Sequence, residues 1–257
     1  MNVHSPLRLS HFHSQSLVRK GNGQDLSITA WAFARLILDG SCPSFSGRSA
    51  DASEISLPLA SWSDIHMAAF IFQLSAARLS TVMRSQEISN TIWAIAKLSA
   101  LAEKASGQHY ACGEDEDDIP HPSQCTGLDQ PPPTSLIPLL RSFLSDGVLR
   151  SRVALMAQTG LLNHQHIPTI IWACARLRVH DDKGLLEALA DSMLKHVRKS
   201  KPRGLSMSLW ALARLGYQHP ALLQAVAGAT MIRLNRKDPK FSGQCLANLA
   251  WALTEFR

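Results

Sequence analysis

The sequence is poor in the features that mark most enzymes and secreted or membrane proteins. It has five cysteines, an odd number without a pairing rhythm. That excludes a disulfide-stapled scaffold and fits a reducing compartment. Cys174 and Cys245 lie in apolar helical stretches and read as small core residues. No apolar run approaches the length needed to span a bilayer. No segment alternates apolar and polar residues as a half-buried strand does. There is no P-loop, dinucleotide fingerprint, nucleophile elbow, kinase signature or zinc-protease motif, so no catalytic residue and no cofactor are expected. His109, Cys112, His121 and Cys125 have a zinc-like order, but their spacing matches no finger and no metal site is expected. Acidic residues are missing altogether from residues 1–24, which hold Arg8, Arg19, Lys20 and several Ser and His. That composition suits an organellar transit peptide, and equally a disordered tail.

Of 257 residues, 46% are hydrophobic, enough for a sizeable core. Charge is uneven: from Thr134 onward there are 17 Lys and Arg against 7 Asp and Glu, whereas acidic residues outnumber basic ones before it. A basic C-terminal half suits a polyanionic partner, or simply a solvated helical surface.

Five of the six tryptophans head one short pattern: WAFARL from Trp31, WAIAKL from Trp93, WACARL from Trp172, WALARL from Trp210 and WALTEF from Trp251. Ala follows each Trp, and a small residue recurs two places later. Trp172 to Trp210 is 38 residues and Trp210 to Trp251 is 41, while the earlier spacings are 62 and 79. Such self-similarity predicts an all-α solenoid of helix pairs repeating every 38 residues or so. The longer spacings are absorbed by inserted loops over 39–60 and over 106–133, the latter carrying the acidic run Glu114 to Asp118 and Pro131 to Pro133. Ser145-Asp146-Gly147 predicts an additional helix break between Thr134 and Gln158. The expected organisation is therefore a tail over 1–24, N-terminal repeats over 25–105, the acidic and Pro-rich loop, and basic repeats over 134–257. The last repeat ends at Arg257 after its first helix, so a fragment or truncated gene model is expected.

The Trp helices are predicted over segments such as Gly204–Leu215, with Gly216 as a left-handed stop. Partner helices follow near Leu185–Val197 and His219–Asn235. The Trp rings read as packing, with stacking platforms for bases as the alternative. Arg35, Lys97, Arg176 and Arg214 stand four residues after a Trp, and Asn90, Thr169 and Asn248 stand three before one. The two positions share a helical face and form a polar stripe once per repeat. Such a stripe reads bases in helical-repeat RNA binders, although a long cation can also snorkel from a packed helix to water. Lys195, Arg198, Lys199, Lys201 and Arg203 form one basic cluster, and Arg233, Arg236, Lys237 and Lys240 another; both follow partner helices and suit phosphate contacts.

At the Trp segments the chain resembles the octotricopeptide repeat family. The best stretch is SLWALARLGYQHP, Ser208 to Pro220, with TIIWACARL and NLAWALTEF similar to it. The same motif style occurs in the leucine-rich region of FAST-kinase-like and RAP-domain proteins. The resemblance spans the five Trp units and is strongest from Ile167 onward. It implies an α-solenoid that binds single-stranded RNA in mitochondria or chloroplasts, in RNA processing, rRNA maturation, mRNA stability or translation. No RAP domain is visible before Arg257, and the kinase of the family name has no counterpart here. A protein-interaction scaffold, or a structural component of an organellar ribonucleoprotein, is the alternative. Neither a membrane nor a small-molecule substrate is expected as a partner.

Overall fold

A computed structural model describes residues 23–39, 65, 69, 83–107, 132–145, 147–179, 184–236 and 241–256, without the side chains at 33 and 35–39. The expected tail, both inserted loops and the 109–125 His/Cys group fall wholly or mostly outside this set. Every regular element among the described residues is helical: α1 (Gly23–Asp39), α2 (Ser85–Ala105), α3 (Leu136–Ser142) with a 3-10 turn (Phe143–Ser145), α4 (Gly147–Gln158), α5 (His166–Arg176), α6 (Leu185–His196), α7 (Pro202–Arg214), α8 (Pro220–Asn235) and α9 (Gly243–Glu255). The helix break predicted near residue 146 centres on a residue outside the described set, between the 3-10 turn and α4. No described helix is long and apolar enough to cross a membrane.

The helix limits have local causes. Pro202 and Pro220 occupy first-turn positions, where a missing N–H costs nothing. Ser242 Oγ caps α9 by accepting from the Cys245 amide at 3.2 Å, and the His219 ring caps α8 by accepting from the Leu222 amide at 3.1 Å. Asn163 Oδ1 accepts from the amides of Gln165 and His166 where α5 begins.

The Trp-bearing helices pack in chain order, α1 on α2, α2 on α5, α5 on α7 and α7 on α9. A second succession runs α4 on α6 and α6 on α8, with α3 lying on α2. Hydrogen bonds fix the direction within each row. His166 at the start of α5 bonds Gln86 at the start of α2. Gln218, just past α7, donates to the Phe256 carbonyl just past α9. Arg233 near the end of α8 reaches the carbonyls of Arg198 and Ser200 just past α6. Helices within a row are therefore parallel, with like ends at one edge.

Close approach follows from the small residues beside each Trp. Ala94, Ala96, Ala173, Ala211 and Ala213 are buried. Gly204 is a further instance: a Cβ there would stand 3.2 Å from Pro168 Cγ of α5, so a residue unfavourable inside a helix lets α7 and α5 touch. The five tryptophans, equivalent in the sequence, are not equivalent in space. Trp172 is 2% exposed and Trp210 5%, whereas Trp31 is 45% exposed; its helix has no described helix before it in the row. Trp93 and Trp251 are half-buried.

Among the described residues His166 is the one buried histidine, and it sits in the α2–α5 contact. The Asn163 amide points at Nδ1 (3.4 Å), so Nε2 carries the proton and donates to Gln86 Oε1 (3.0 Å). Burial, and then the neighbouring His164, hold its pKa below the ordinary 6.5. Its folded form thus binds fewer protons than the unfolded chain just below pH 6.5, and stability falls as pH drops through that window. Urea midpoints should decline from pH 7.5 to 5.5, and His166→Gln should flatten the decline. Identical slopes in the two proteins would show that this ring does not report the pH.

Candidate nucleic-acid interface

The cations four residues after Trp93, Trp172 and Trp210 have a packing role. Lys97 Nζ of α2 lies 5.2 Å from the Trp172 ring centroid of α5. Arg176 lies over its own Trp172 at 5.9 Å and over Trp210 of α7 at 5.7 Å. Arg214 lies over Trp210 at 5.9 Å, and Trp210 meets Trp251 of α9 at 6.3 Å with the rings tilted 41°. Cations and rings alternate across α2, α5 and α7, and a ring pair carries the series on to α9. Each such contact contributes on the order of 0.5–2 kcal/mol, most where water is excluded.

This geometry revises the polar stripe. Lys97 is only 5% exposed, so its charge faces a ring and does not reach a surface. Asn248 is 6% exposed and accepts a hydrogen bond from Gln244 Nε2 at 3.3 Å. Both are withdrawn as surface contacts: Trp172 of the next Trp helix covers Lys97, and Asn248 is buried on α9, which packs on α7 before it. Asn90 and Thr169 are half-buried and bonded within their own helices, Asn90 Oδ1 to Gln86 Nε2 (2.7 Å) and Thr169 Oγ1 to the Gln165 carbonyl (3.1 Å). All three polar residues of the stripe therefore hydrogen-bond to the residue four before them. Arg176 is half-buried and Arg214 exposed. The Arg35 side chain lies outside the described residues.

The basic clusters gather at one edge, where partner helices end and the next Trp helices begin. Lys195, Arg198, Lys199, Lys201 and Arg203 are all exposed there. Arg233 is a correction: Nη1 and Nη2 donate to the Ser200 and Arg198 carbonyls at 2.8 and 2.9 Å, tying α8 to the turn after α6. It is a structural tie that brings the second cluster beside the first. Arg236 is exposed, and Lys237 and Lys240 lie outside the described residues. His196 belongs to this edge; its pKa is lowered by burial, then by Lys199 and His164. Among the described residues no group of His, Cys, Asp or Glu is arranged to hold a metal.

The opposite edge, where Trp helices end, holds a cleft of about 670 Å³. Arg176, Arg178 and Arg214 line it, with Trp210, Tyr217 and Glu103. Glu103 is buried, and its Oε1 accepts from Arg141 Nη2 (2.7 Å), Arg141 Nε (3.1 Å) and the Ser99 hydroxyl (3.5 Å). Arg178 was missed in the sequence. The signal was there in the aligned units: WACARLR places Arg178 where WALARLG places Gly216.

Comparison with protein-family models and with curated proteins gives no match to either.

Proposed function

We propose that the chain is a single-stranded RNA-binding α-solenoid of helix pairs. The two rows of parallel helices, each stacked in chain order, support the solenoid reading. The observation that carries RNA binding is the cluster of five exposed cations between residues 195 and 203, on an edge that the exposed Arg236 extends. Polyanions are drawn to such an edge through counterion release. The resemblance of the Trp segments to octotricopeptide repeats supports a role in organellar RNA processing, rRNA maturation, mRNA stability or translation. The acid-free N-terminal stretch agrees with delivery to a mitochondrion or chloroplast.

A second reading is a protein-interaction scaffold. The observation favouring it is α8, where Met231, Ile232 and Leu234 are exposed although apolar residues surround the helix. Apolar faces of this kind are normally covered.

Titration with unstructured RNA over a range of salt separates the two. With about six phosphates neutralised, log K should fall with log salt at a slope of roughly −4. A flat salt response with micromolar or weaker binding would favour the scaffold.

A further inference from the structure

Four described helices end in the same left-handed turn. Its residue is Gly107 after α2 (φ 72°), Gly160 after α4 (φ 73°), Gly216 after α7 (φ 66°) and Arg178 after α5 (φ 52°). The turns after α4, α5 and α7 close with the same bonds, such as the Val179 amide to the Cys174 carbonyl (3.0 Å) and the Tyr217 amide to the Leu212 carbonyl (3.0 Å). Glycine adopts this conformation freely, whereas a side chain with a Cβ is strained in it. Two of these turns line the cleft, at Arg178 and at Gly216, and at the first of them the chain places an arginine in the left-handed position. Backbone strain of this kind collects where a side chain is needed for another purpose.

The other lining groups say what that purpose is. Arg176 and Arg214 lie over Trp210 and bring planar cations to the cleft beside Tyr217. Guanidinium planes and aromatic rings are what unstacked nucleobases stack on, and arginines are what phosphate oxygens bond. Glu103 adds an acceptor-only group: Arg141 and Ser99 both bond Oε1, which leaves Oε2 to receive an amino group. A flat ligand with an anionic tail and an amino-bearing edge fits this set. An acidic peptide has no flat face and would meet the Glu103 carboxylate.

We propose that the cleft binds one nucleotide of the RNA strand, its phosphate on Arg178 with Arg176 and Arg214, and its base edge toward Glu103. The assignment rests on the RNA-binding reading above and names a subsite within it. Uracil, which lacks an exocyclic amine, is the base the cleft accepts least.

The test is calorimetric titration of the full chain with AMP, GMP, CMP, UMP, adenosine and inorganic phosphate. AMP should bind at least about tenfold more tightly than adenosine or phosphate alone, and UMP about tenfold more weakly than AMP, since one charge-assisted hydrogen bond is worth about that factor. Arg178→Gly should weaken AMP about tenfold while raising Tm by about 2–4 °C through relief of the left-handed strain. Arg178→Asn keeps a residue that tolerates the turn and should weaken AMP equally. Unchanged AMP affinity in both variants overturns the proposal, as does displacement of AMP by a Glu-rich peptide at equal concentration. A 12-nucleotide RNA separates the two readings. Equal RNA binding by wild type and Arg178→Gly, with no mononucleotide binding, removes the cleft and leaves RNA binding standing. Mononucleotide binding that is lost in Arg178→Gly, with RNA no tighter than AMP, supports the cleft and removes the solenoid as an RNA binder.

Discussion

Trp172→Ala should cost about 3–5 kcal/mol, the range for aromatic truncation in a packed core. Trp172 is among the largest fully buried side chains, and both Lys97 and Arg176 lie over its ring. Its removal opens a cavity between α2, α5 and α7, and it takes away the ring that Lys97, itself buried, faces. A loss of this size is a large part of an ordinary domain's total stability of roughly 5–15 kcal/mol. Trp31→Ala is the internal control. That ring is 45% exposed, and its truncation should cost less than about 1 kcal/mol. Urea unfolding of the two variants beside wild type measures the difference. Equal losses at both sites would mean that the Trp helices pack with one equivalent face, contrary to the structure.

The contrast between these two tryptophans shows where sequence reasoning reaches its limit. The all-helical character was legible, because Trp, Ala and a distal cation recur at helical offsets, and because prolines and glycines punctuate α7 and α8. Periodicity gives the face a residue occupies on its own helix. What the neighbouring helix does to that face depends on position in the row, and Trp31 and Trp172 carry the same local pattern. Lys97 shows the same limit. Four residues after a Trp, a cation can reach water, a base or a ring, and the arrival of Trp172 from α5 decides for the ring. Asn248 was legible as polar but not as buried. Arg233 read as a surface cation, whereas its guanidinium holds two carbonyls of the turn after α6, 33 and 35 residues away in the chain. Arg178 is the opposite case. The aligned units displayed an arginine in a glycine's place, and only the left-handed φ turned that difference into a signal.

The exposed edge at residues 195–203 bears the central claim, and reversing its charge tests it most directly. Lys195, Arg198, Lys199 and Lys201 changed together to Glu should weaken single-stranded RNA binding at least about 100-fold near 0.1 M salt. The salt slope should also become shallower, from roughly −4 to about −1.5, because four of about six phosphate contacts are lost. The fold should survive. All four side chains are exposed, though Lys195 and Arg198 lie near the end of α6, where a negative charge costs about 0.3–1 kcal/mol each. The same four positions changed to Gln remove the charge without reversing it, and should give an intermediate loss. Circular dichroism and the urea midpoint confirm folding before any affinity is compared. A graded loss from wild type through Gln to Glu, alike for every RNA sequence tried, is the result the account predicts. Folded Glu and Gln variants that bind RNA as wild type does, at the same salt slope, would contradict it.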